Sequence, residues 1–138
     1  GIDGVPGIRI TPRPKGAHLS YWWVSFAVDE GAFGVDAGEF CRMLSAEGIP
    51  AGARLQQYVL NWEVFRRLHE DPDAFNTYRP QRLAKGSFPL DGTPQARTRE
   101  TSIGGVHMSQ HNTIGEARSA ARAVRKIVAA LQGRNLTQ

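Results

Sequence analysis

Two histidines, His107 and His111, stand four residues apart, the spacing that sets two metal ligands on one face of a helix. Their flanks argue against a helix. Gly104-Gly105 precede them and Asn112-Thr113 follow, so the segment reads as a strand running into a loop. Met108 also occupies the place where a metalloprotease pair would need Glu. The favoured reading is hydrogen-bonding or loop histidines without a metal. The polar run Ser109-Gln110-His111-Asn112, just before a helix start, has the residue types for holding an anion or a hydroxyl-rich ligand. Its structural alternative is a plain capping loop.

Other chemistry fails on spacing. The acidic turn Glu70, Asp71, Asp73 lacks the Gly and the distal Glu of an EF-hand loop. Lys85-Gly86-Ser87 has no Gly-rich run before the lysine, so it is not a P-loop. Gly1 to Gly7 follows no strand and opens no helix, so it is not a dinucleotide fingerprint. No Gly-x-Ser-x-Gly elbow occurs. Cys41 lies in a helical pattern beside Phe40 and reads as a packed, unreactive thiol.

The elements that must position these residues are partly legible. Ser20 to Asp29 is expected as a strand, with Trp22, Val24, Phe26 and Val28 on the core face and Tyr21, Trp23, Ser25 and Ala27 on the other. Aromatic residues on that second face call for a covering element. A helix is expected over 36–47, capped by Asp36 with Glu39 reaching back, with Phe40, Met43 and Leu44 buried. Gly48 should end it with positive φ, and Pro50 blocks its continuation. Short elements are expected at 54–58 (strand) and 62–68 (helix), then irregular chain over 76–95. A strand over 103–108 leads to a helix over about 114–132, capped by Thr113 and Glu116. Its apolar stripe is Ala117, Ala120, Ala121, Val124, Ile127, Val128 and Leu131, and Gly133 ends it. Residues 1–19, with four glycines and three prolines, read as an extended lead-in. The expected fold is α+β, a small antiparallel sheet packed on two main helices, in a single domain over 1–138.

Composition narrows the function classes. A chain of 138 residues with 41% hydrophobic and 22% charged residues has the size and make-up of one globular domain. No apolar run approaches the roughly 18 residues of a membrane span, so no membrane partner is expected. One cysteine excludes an intramolecular disulfide framework. The net charge of +4 falls entirely in residues 70–138, which carry ten basic and six acidic residues. A nucleic-acid site would interleave aromatics with that charge. Here the aromatics cluster early and the charge late, and Arg118, Arg122, Arg125 and Lys126 read as a solvated helix face, so no nucleic-acid partner is expected.

The order of pieces resembles the C-terminal domain of the DegT/DnrJ/EryC1/StrS family, pyridoxal-phosphate aminotransferases of fold type I that act on sugars and cyclitols. Tyr21-Trp22-Trp23-Val24-Ser25-Phe26-Ala27-Val28-Asp29 resembles the family's aromatic strand, and Phe33-Gly34-Val35-Asp36 its "FGV" loop. Ala46-Glu47-Gly48-Ile49-Pro50 resembles its "AEGIP" turn. Thr93-Pro94-Gln95-Ala96 resembles "CPxAE", and Met108-Ser109-Gln110 through Ile114-Gly115 the segment before the family's last helix. Leu55-Gln56-Gln57-Tyr58 and His107-Met108 depart from the family pattern. The resemblance implies the small domain of a cytoplasmic, homodimeric parent enzyme, closing an active site over pyridoxal phosphate held by a large domain absent from this chain. The chain opens Gly1-Ile2-Asp3-Gly4 and is read as part of a longer parent. No cofactor is expected on this chain alone, because Lys15, Lys85 and Lys126 do not have the setting of a Schiff-base lysine. The resemblance places Tyr58, Gln110, His111 and Asn112 at the substrate. A stand-alone α+β binding or regulatory module without catalytic activity is the alternative.

Overall fold

A computed structural model of the chain describes residues 1–18, 22–53, 62–71 and 93–135. The chain divides into two compact units, Gly1–Arg54 with Thr101–Gln138, and Leu55–Glu100.

The first unit is built on a four-stranded sheet, β1 (Ile8–Ile10), β2 (Trp23–Val28), β3 (Ala51–Gly52) and β4 (Ile103–His107), in the order β1-β2-β4-β3. Every pairing is antiparallel. The register sets Val28 opposite Ile8, Phe26 opposite Ile10 and Gly104, and Val24 opposite Val106. Direct partners share a face, so these residues line one side of the sheet. Against that side pack α1 (Glu30–Phe33), α2 (Ala37–Ala46) and α5 (Ile114–Asn135). Phe26, Phe40 and Leu44 are the largest fully buried side chains. Phe40 meets Phe26 edge-on at 5.9 Å and stacks on Phe33 at 6.0 Å. The fold is therefore α+β, an antiparallel sheet backed by two main helices, as expected.

The helix ends follow local chemistry. Asp36 Oδ1 accepts from the Glu39 backbone N–H at 2.7 Å, which caps α2. Glu39 pairs with Arg42 instead of reaching back. At the other end the Gly48 N–H donates to Ser45 O and the Ile49 N–H to Leu44 O, both at 3.0 Å, with Gly48 at φ 79°. That is a complete Schellman closure.

Two glycines let the layers meet. A methyl on Gly104 would lie 2.6 Å from Cys41 Sγ of α2. On the opposite face a methyl on Gly105 would overlap the Trp23 indole, which lies across it. Gly104-Gly105 thus admits a helix on one side and an aromatic ring on the other.

Several expectations need correction. Residues 8–10 are not plain lead-in: Ile8 and Ile10 place a strand on the β2 edge. β2 starts at Trp23, and Trp22, expected in the core, is 56% exposed. Met43, expected in the buried stripe of α2, is half-buried, while Cys41 is buried as expected. A strand pairs at Ala51–Gly52, whereas the strand expected at 54–58 lies outside the described residues. Asp29 caps α1, a single turn closed by Gly34 in the left-handed region. On α5, Ala123 is buried while Ala117 is exposed, and the helix continues through Gly133 to Asn135.

In the second unit α3 (Glu63–Glu70) carries an Arg67–Glu63 pair at 2.9 Å and buries Leu68. The helix α4 (Pro94–Ser102) begins within the stretch expected to be irregular. Proline suits its first position, where no intrahelical N–H is needed. Among the described residues no helix is long and apolar enough to cross a membrane.

Candidate functional site

The segment from Met108 to Thr113 leaves β4 and starts α5, and its polar groups fold back on one another. Asn112 Oδ1 accepts from the Ser109 backbone N–H at 2.6 Å, and Ser109 Oγ accepts from the His111 N–H at 3.3 Å. Thr113 and Glu116 form a reciprocal capping box. The Glu116 N–H donates to Thr113 Oγ1 at 3.2 Å, and the Thr113 N–H donates to Glu116 Oε2 at 2.6 Å. The Thr113 backbone bond, then the Thr113 hydroxyl and, behind an opposing effect of desolvation, Asn112 hold the Glu116 carboxyl below its usual range.

This geometry changes the reading of the loop as an anion site. The positive end of α5 already carries a carboxylate, so a second anion meets like charge there. The loop keeps the chemistry of a neutral, hydroxyl-bearing ligand. Gln110 is its uncommitted member: its exposed carboxamide makes no hydrogen bond among the described residues.

Behind the loop lies a cavity of about 560 Å³. Val24, Phe26 and Val106 of the sheet form its floor, and Ala117, Ala121 and Val124 of α5 its roof. Gly1 to Asp3 close one side, with the Gly1 carbonyl accepting from Arg125 at 2.6 Å. Gln110 and Asn112 stand at the rim.

Of the four expected substrate residues, Gln110 and Asn112 therefore meet at one cavity rim. His111 is exposed in the same loop but does not line the cavity, and Tyr58 lies outside the described residues. His107 ends β4 and meets the exposed Trp22 ring edge-on at 6.2 Å, away from the loop's hydrogen bonds. No group of three or more potential metal ligands is found among the described residues. The cavity itself is the feature that sequence reasoning missed. Its signal was the stripe of small residues, Ala117, Ala120 and Ala121, on the first half of α5.

Lys15 is exposed, and Lys126 pairs with Glu47 at 2.8 Å on the surface. Lys85 lies outside the described residues. Burial raises the Cys41 thiol pKa, partly offset by the Gly105 backbone, so Cys41 is packing and not a nucleophile.

No family model matches the sequence, and no curated protein matches it.

Proposed function

We propose that residues 1–138 are the C-terminal domain of a DegT/DnrJ/EryC1/StrS-type aminotransferase acting on a sugar or cyclitol. The observation that carries the reading is the run of segments 21–29, 33–36, 39–44 and 46–50, which resemble the family's strand, loop, helix and turn. Its conspicuous residues have definite tasks: Phe26 in the core, Gly34 as a left-handed cap, Asp36 as an N-cap and Gly48 in the Schellman turn. In this reading pyridoxal phosphate supplies the amino-transfer chemistry on a lysine of the parent's large domain. The present chain covers the substrate and offers neutral polar groups to it. Gln110 suits that role, because an amide can donate to one sugar hydroxyl and accept from another.

The test is Gln110→Ala in the full-length parent. Losing one neutral hydrogen bond, about 0.5–1.5 kcal/mol, should lower kcat/KM roughly 2- to 13-fold. Gln110 is exposed, so the melting temperature should hold. Unchanged kcat/KM would remove this loop from the substrate site.

A further inference from the structure

We propose that the cavity between the sheet and the first half of α5 binds a neutral, hydrocarbon-rich small molecule carrying one hydroxyl or amide group at its end. The proposal does not rest on the aminotransferase reading. The hollow reaches the core: its lining includes Phe26 and Val124, only 1% and 2% exposed. It exists because α5 changes along its length. Val124, Ile127, Val128 and Leu131 fill the space over one half, and Ala117 and Ala121 leave it open over the other. Apolar walls give water few of the two to four polar partners it needs. The volume of about 560 Å³ falls in the range of small-molecule sites.

The rim sets the head group. Asn112 and Ser109 are committed to each other, to the His111 backbone and to Glu116. The Gln110 carboxamide is left to pair with a ligand. Asp3 carries the sole side-chain charge in the lining among the described residues, and in the 138-residue chain the α-amino group of Gly1 beside it offsets that charge, so no net positive charge is left to hold an acidic head group. An alcohol or amide fits where a fatty acid does not.

The experiment titrates the 138-residue chain with the neutral fluorophore N-phenylnaphthylamine, then competes it with decanol or decanoate. Saturable fluorescence is expected, displaced by decanol roughly tenfold more effectively than by decanoate. Ala121→Phe takes up part of the cavity on the wall the ligand would lie against and should weaken binding at least severalfold, while Ala129→Phe, on an exposed part of α5, should leave it unchanged. If Ala121→Phe does not fold, Ala117→Leu at the exposed rim takes its place. The proposal is overturned by absence of saturable binding, by full binding in a folded cavity-filling variant, or by decanoate competing as well as decanol. Gln110 belongs to both readings, but only the cavity proposal expects an effect in the isolated chain.

Discussion

Gly104→Ala probes the layer contact on which the fold depends. The added methyl would sit 2.6 Å from Cys41 Sγ and 3.1 Å from the Phe26 ring, inside the 3.4–4 Å of ordinary contact. Both neighbours are buried, at 2% and 1% exposure, so neither can swing into solvent. Overpacking of this kind costs about 1–3 kcal/mol. Opposing it, replacing Gly restricts the unfolded chain and returns about 0.4–1 kcal/mol. Net destabilisation is expected. Cys41→Ala alone removes one buried sulfur and should cost about 1 kcal/mol. In the double variant the methyl introduced by Gly104→Ala takes the vacated volume, so the combined loss should fall below the sum by at least about 1 kcal/mol. Residual crowding against Phe26 keeps the double variant less stable than the parent chain. Urea unfolding of the four chains, compared at equal m-value, reads the cycle. Additivity within about 0.5 kcal/mol would refute the argument that Cys41 and Gly104 are in forced contact.

Four further outcomes are expected. Gly48→Ala places a side chain at φ 79° and should cost about 1–2 kcal/mol, while Gly133→Ala, inside α5 with open space around it, should stabilise by about 0.5–1 kcal/mol; thermal melts give both signs. Thr113→Ala should lose about 1 kcal/mol with the capping box. The charge of Glu116 stabilises the fold above the unfolded carboxyl's range, near 4.5, and that contribution is lost as pH falls through the lowered folded value. The gap between the parent chain and Glu116→Gln should therefore close in acid, and a gap independent of pH would contradict the cap assignment.

The parts legible in the sequence were those fixed by local chemistry. Asp36, Gly48, Thr113 and Glu116 announce helix ends because their side chains or backbone freedom act within four residues. The alternation through Phe26 and Val28 announced β2. β1 is a three-residue strand that exists through pairing with β2, and so carries too short a pattern to read. Period alone assigns Trp22 to the core, but it lies one residue before β2 begins. Gly133 looked like a helix end because Gly is common there, yet α5 carries it as an interior residue. At the site, the polar run at 109–112 was visible, but its internal hydrogen bonds were not. The cavity depends on which α5 alanines face Val24 and Val106, a relation set by tertiary packing and absent from any local window.

If this chain covers chemistry performed by a lysine elsewhere in a longer protein, as proposed, borohydride reduction of the full reading-frame product with pyridoxal phosphate, followed by peptide mapping, will show it. The expected result is a phosphopyridoxyl-lysine in a peptide outside residues 1–138, and no adduct when the 138-residue chain is treated alone. A saturable adduct on Lys15, Lys85 or Lys126, or none anywhere in the full-length product, would contradict it.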